Sequence, residues 1–284
     1  MRPMTDSEIK AKGLEILLDV DAFCRKHGIE YFLVFGTLLG AVRHGGFIPW
    51  DDDVDIGMTR DHYNRFIDLM QREQDKYRIL SIETSPDYPF TFARVSDQST
   101  HLDLRGVREI HGLGIFVDVF PYDHAFPPEE RAKGRLTCHR MKMRVRATVP
   151  STAKFQAHSL RSFYKYLRGL PFRLLHGRDF DRYRREFQDY LMKYNDRPCD
   201  AYQSQRPLFI FPREVLFPCR EIEFEGHRFM APADPREYLR IKFGDDYMQF
   251  PPVEKRVTRH HFTAYWKEGF EPAPAADGPS RKEG

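Results

Sequence analysis

Apolar residues near the start of the chain recur at helical spacing. Ile9, Ile16, Leu17, Val20, Phe23 and Cys24 fall on one face of a 3.6-residue repeat. Thr5, with Glu8 three residues on, makes a capping box before this run, and His27-Gly28 closes it. The apolar stretch 30–35 predicts a buried strand, 37–43 one or two helical turns, 44–49 a loop, and 54–58 a second strand. Thr59 can cap a second helix with Tyr63, Phe66, Ile67 and Met70 along one side. Strands are predicted near 78–82, 91–96, 100–104 and 115–120. Residues 129–195 read as helices, broken near Pro150-Ser151 and Leu170-Pro171, followed by β-rich pieces at 208–217 and 220–229. Asp234-Pro235 opens a helix that runs through Lys242 and ends at Gly244. This irregular order predicts an α/β fold of the α+β kind: a mixed sheet with flanking helices and a helical insertion.

The implied organisation is a core over 1–128, a basic helical region over 129–200, a return to the core over 201–270, and a disordered tail over 271–284. Among 284 residues, 41% are hydrophobic, with 24 Phe and 14 Tyr, which is enough for a sizeable core. No run reaches the ~18 apolar residues that span a bilayer. The first dozen residues are polar, with no signal-peptide pattern, so a cytoplasmic location is expected. The four cysteines (Cys24, Cys138, Cys199, Cys219) are far apart in sequence, which excludes a zinc ribbon.

The net charge of +3 hides an asymmetry. Residues 131–185 hold 16 Lys and Arg against two acids, about +14, leaving about −11 for the rest. One surface is therefore expected to meet something anionic. Three readings stay open for this segment: a solvated helical face, contact with an anionic membrane surface, or a groove for a phosphorylated glycan. Nucleic acid is not expected, because no reader motif accompanies the charge.

The acids concentrate in Trp50-Asp51-Asp52-Asp53-Val54-Asp55. If this segment is extended, Asp51, Asp53 and Asp55 share one side, ~6.6 Å apart along the chain, with Asp52 facing away. Neighbouring carboxylates repel unless a cation neutralises them, and hard oxygen ligands suit magnesium or manganese. The other reading is a solvated acidic turn. An EF-hand is excluded, since its Gly position holds Ile56 and its Glu position holds His62. Upstream, Gly36-Thr37 closes a predicted strand and can offer N–H and hydroxyl donors to a phosphate. Asp118 interrupts the apolar strand 115–120. It is either half of an ion pair with an Arg or a third metal ligand or general base.

These residues together resemble the LicD/fukutin family. The resemblance lies in the run from Phe35-Gly36-Thr37 through His44-Gly45-Gly46-Phe47-Ile48-Pro49 to Asp55, in Phe116-Val117-Asp118-Val119-Phe120-Pro121, and in Phe243-Gly244-Asp245-Asp246-Tyr247 with Pro251-Pro252-Val253-Glu254-Lys255-Arg256. It implies a nucleotidyltransferase-like fold and a LicD-like phosphotransferase. Such an enzyme transfers a phosphorylated alcohol from a CDP-linked donor to a glycan or glycolipid, with magnesium or manganese as cofactor. On this sequence Asp53, Asp55 and Asp118 match the metal ligands, with Asp51 as a further acid. Gly36 and Thr37 match the phosphate-facing turn, and Arg43 a phosphate ligand. The usual Gly-Ser of the wider fold is Gly-Thr here, and its spacing to the acids is long.

Lys255 and Arg256 are weighed between a solvated turn and donor binding, and Arg94 between a structural pair and the site. Trp50, Tyr63, Tyr122, Tyr238 and Tyr247 are candidates for a choline cage, but most are expected to be core. Two other functions compete: a D-x-D glycosyltransferase using a nucleotide-sugar, and a non-catalytic scaffold.

Overall fold

Helix α1 (Asp6–His27) begins and ends on local chemistry. Thr5 and Glu8 form the reciprocal capping box, and Gly28 closes the helix at φ 59. In this computed structural model, which describes residues 1–86, 88–104, 110–148, 179–204, 209–256 and 262–271, α1 buries Ile9, Gly13, Ile16, Leu17, Val20, Phe23 and Cys24. The predicted breaks at Pro150-Ser151 and Leu170-Pro171, together with the tail after Glu271, lie outside the described residues.

The main sheet runs in the order β2 (Phe32–Leu33), β3 (Asp55–Thr59), β7 (Phe116–His124), β5 (Ala93–Asp97), β4 (Tyr77–Leu80). Strand β8 (Ala201–Ser204) joins the far half of β7, and β9 (Ile210–Pro212) pairs with β8. Strands β3 and β7 are parallel, and the other pairs are antiparallel. β7 is buried along 116–123, as expected of a strand covered on both faces. A three-stranded sheet joins β1 (Arg2–Pro3), β12 (Phe262–Trp266) and β6 (Thr100–Leu104). β10 (Arg220–Phe224) and β11 (His227–Ala231) form a hairpin. Glu225 and Gly226 both take positive φ at its turn, as a type I′ turn requires.

Helix α3 (Arg60–Glu73) follows β3 directly and buries the predicted Tyr63, Phe66, Ile67 and Met70. α1, α3 and the sheet share one large core. A second, smaller core joins Cys138 and Val145 of α4 (Arg131–Thr148) to Phe180, Tyr183, Phe187 and Leu191 of α5 (Phe180–Leu191). Arg184 fastens α5 to the larger unit by donating to the Ser85 and Tyr88 carbonyls at 2.8 and 3.1 Å.

Several predicted elements change form. The strand expected over 30–35 shrinks to β2, because Phe35 turns to φ 48 and α2 (Phe35–His44) starts there. The strand expected over 208–217 gives way after β9 to a helical turn, α6 (Arg213–Leu216). The Asp234-Pro235 signal holds: α7 (Pro235–Phe243) is capped by the Asp234 carboxylate and ended by Gly244.

Candidate active site

The turn at the start of α2 is built at some cost. Val34 is extended and Phe35 left-handed, a conformation that costs a bulky residue about 1–3 kcal/mol. Gly36 follows, and the Asp51 carboxylate lies close against it: a Cβ there would be 2.5 Å from Oδ2 of Asp51, so a larger residue would push that carboxylate aside. The structure thus brings the Gly36-Thr37 turn against the acidic run. Thr37 is buried, and its hydroxyl accepts the Asp55 amide N–H at 2.8 Å. An oxygen that accepts here still carries its own hydrogen. Replacing Thr37 by Val should leave that amide unpaired and destabilise the protein by about 1–3 kcal/mol in urea unfolding, whereas Ser should hold most of the stability.

Asp55 opens β3 and lies directly beside Asp118 of parallel β7, with Arg94 of β5 next in the same row. Only 7% of each Asp is exposed. The Val54 carbonyl accepts the Asp118 N–H at 2.8 Å, which joins the start of β3 to β7, and the Asp55 carbonyl accepts the Val34 N–H at 3.1 Å, which joins β3 to the residue before α2. On the same faces, Gly57 sits beneath the Tyr122 ring, where a Cβ would be 2.6 Å from a ring carbon. Arg94 donates through Nε to Asp118 at 2.8 Å. Its guanidinium lies over the rings of Phe116 at 3.9 Å and Phe90 at 4.8 Å. The ion pair considered for Asp118 is therefore present, and Arg94 is its partner.

The run before β3 is not part of a strand, so the alternation of a strand does not govern it. Asp51, Asp52 and Asp53 each present a carboxylate oxygen, and these oxygens lie within 4.8 Å of one another. Asp52 does not face away, and this corrects the expectation from parity. Asp53 links the cluster to the sheet through its charge. Burial first, then the charges of Asp53, Asp118 and Asp51, push the Asp55 carboxyl well above the usual carboxylate range, while Lys242 opposes them.

Lys242, near the end of α7, was not singled out in the sequence. Its ammonium lies 4.1 Å from the Phe35 ring centre and 4.4 Å from that of Phe209. The left-handed Phe35 thus helps to seat a cation near Asp55. A Lys in the last turn of a helix reads as an ordinary dipole partner, so only the fold reveals this position.

A second group of cations gathers around Trp50. The Arg256 guanidinium is 5.4 Å from the ring centres of both Trp50 and Phe250, and Arg43 is 5.1 Å from Phe250. Arg43 also donates to the Tyr247 and Gln249 carbonyls at 3.0 and 3.1 Å. Burial, then Arg256, holds its pKa below the ordinary Arg value. The Lys255 side chain lies outside the described residues. Of the cage candidates, Tyr63, Tyr122 and Tyr238 are core: the Tyr122 and Tyr238 hydroxyls bond each other at 2.6 Å. The loop after α2 is held by the β10–β11 hairpin, since the Glu225 carboxylate accepts the Phe47 N–H at 2.8 Å.

The parallel strand pair buries two acids beside a glycine turn, the arrangement that the resemblance to a nucleotidyltransferase fold implies. Residues 28–155 match the domain described as LicD/FKTN/FKRP, nucleotidyltransferase domain. Over 277 residues the chain is 30% identical to the lipopolysaccharide cholinephosphotransferase LicD of Haemophilus influenzae, covering 93% of this chain and 99% of that protein. A stretch of 31 residues, 11% of this chain and 6% of the relative, is 61% identical to the ribitol 5-phosphate transferase FKRP of Homo sapiens. The chain belongs to the LicD family and is a LicD-like phosphotransferase.

Proposed function

We propose that this enzyme transfers a phosphorylated alcohol, phosphocholine-like or a polyol phosphate, from a CDP-activated donor to a glycan or glycolipid acceptor. The observation that carries the proposal is the in-register burial of Asp55 beside Asp118, close to the Gly36-Thr37 turn. Arg94 neutralises Asp118, but burial and the charges of Asp53, Asp118 and Asp51 still disfavour ionised Asp55, and a bound cation would relieve that cost. The names of the relatives, a cholinephosphotransferase and a ribitol 5-phosphate transferase, support the class of group transferred.

Asp53, Asp55 and Asp118 would hold magnesium or manganese, with Asp51 in support; carboxylate oxygens fit such hard ions. When bound, the ion neutralises charge on the donor phosphates and on the departing CMP. The N–H groups of Gly36 and Thr37 meet a phosphate oxygen at the start of α2. Lys242 adds positive charge from beside Phe35 and Arg256 from beside Trp50, while Arg43 holds the segment that carries Phe250. Asp118 takes the proton of the acceptor hydroxyl as its oxygen bonds to phosphorus and the bond to CMP breaks. We place this reaction in the cytoplasm.

A thermal-shift screen with and without magnesium tests this reading. CDP-choline, CDP-ribitol or CDP-glycerol at ~100 times its Kd should stabilise the protein by about 2.7 kcal/mol, and only with the metal. A response to UDP- or GDP-sugars, with none to any CDP-alcohol, would overturn it in favour of a D-x-D glycosyltransferase.

A further inference from the structure

The outward face of α4 joins a narrow apolar strip to dense positive charge. The inward side of the helix, with Gly134, Cys138, Val145 and Thr148, is buried. Helical spacing places Ala132, Leu136 and Met143 on the opposite side. There Leu136 is 62% exposed and Met143 49% exposed. Lys133, Arg140 and Arg144 flank this strip on one side, and Arg135, His139 and Arg146 on the other. No residue of the helix is acidic. α5 lies beneath it, pinned to the larger unit by the buried Arg184.

We infer that this face of α4 rests on an anionic lipid surface. Apolar side chains between rows of Arg and Lys suit the boundary between acyl chains and headgroup phosphates. A soluble phosphorylated glycan would use the charge but leave Leu136 and Met143 without a role. A second copy of the chain would set cations against cations with no acid on the helix to relieve them. The inference goes beyond the proposed reaction and does not depend on it.

The experiment is co-sedimentation of the full chain with vesicles of phosphatidylglycerol mixed with phosphatidylcholine, and with pure phosphatidylcholine. Binding is expected to the anionic vesicles only, and to weaken as salt rises. The double variant Lys133→Glu, Arg140→Glu should lower partitioning by at least ~10-fold, since each cation near an anionic leaflet is worth roughly fivefold. The double variant Leu136→Ser, Met143→Ser should also lower it by about tenfold. Both variants should keep their melting temperature and any magnesium-dependent response to a CDP-alcohol, which separates a failure here from a failure of the catalytic reading. Absence of vesicle binding by the parent would overturn the inference. So would binding that the Leu136/Met143 variant retains in full, or that dextran sulfate or duplex DNA reproduces with equal affinity. A change of oligomeric state in the Leu136/Met143 variant, with vesicle binding unchanged, would assign the face to a second copy instead.

Discussion

Asn in place of Asp55 is expected to lower transfer by on the order of 10^3-fold, the scale for losing a group that answers transition-state charge, and yet to give a metal-free protein more stable than the parent. Burial and the neighbouring carboxylates raise the Asp55 carboxyl well above its ordinary range. The folded protein therefore binds this proton more tightly than the unfolded chain, whose Asp titrates near ~4. The stability this contributes is fully present below the unfolded value and is lost as pH rises through the folded one. At neutral pH the metal-free parent carries that loss and the Asn variant does not, a gain of about 0.5–2 kcal/mol. Melting curves in chelator at about pH 5 and about pH 8 test this, because the parent should weaken between them more than the variant. Magnesium should then restore the parent and leave the variant unchanged. Full activity in the variant at ordinary magnesium would remove Asp55 from the site.

The largest loss of stability is expected from Asp123→Ala. Asp123 and Arg60 are both buried and meet through two bonds of 2.8 Å, Nε to Oδ1 and Nη2 to Oδ2. Asn195 donates to the same Oδ1 at 2.7 Å and accepts the His124 N–H at 2.7 Å. Burial disfavours the Arg60 charge, and the Asp123 carboxylate outweighs it, so the guanidinium pKa is raised. Removing the carboxylate strands a buried cation at the junction of β3, α3 and β7, at a cost of about 3–5 kcal/mol. Urea unfolding measures it. Replacing the pair together, by Arg60→Met with Asp123→Leu, should recover most of the loss. A single-variant cost under ~1 kcal/mol, the value of an exposed pair, would show that the pair is not buried in solution.

The sequence displays those parts of the fold that local chemistry decides. The Thr5–Glu8 capping box, the α3 stripe and the Asp234-Pro235 start all carry their cause within a few residues, and all form as read. Strands β8 and β12 were not foreseen, because their partners lie far away: β8 pairs with β7 at 122–124, and β12 with β6 at 100–104. The candidate site divides along the same line. Asp51, Asp53 and Asp55 stand out as a run of acids and Asp118 as a lone charge in an apolar strand, while Gly36-Thr37 gains its meaning from the acids that follow it. The orientation of Asp52 could not be read, since alternation holds only in a strand and β3 starts at Asp55. Lys242 could not be read either, because it reaches Phe35 only through the packing of α7. Arg94 was left between two roles until the β5–β7 register set it opposite Asp118.

The Thr37–Asp55 hydrogen bond spans the long separation between the glycine turn and the acids. It cinches the two ends of everything between them, α2 and the loop through Pro49 included. A stretch closed at its neck can lengthen outward while the neck keeps its shape, and doubling a flexible loop costs only ~0.6 kcal/mol in closure entropy. Extra length can therefore be carried in this interval only where it leaves in place the contacts inside the neck, of Phe47 with Glu225, of Arg43 with 247–249 and of the Asp51–Asp53 carboxylates.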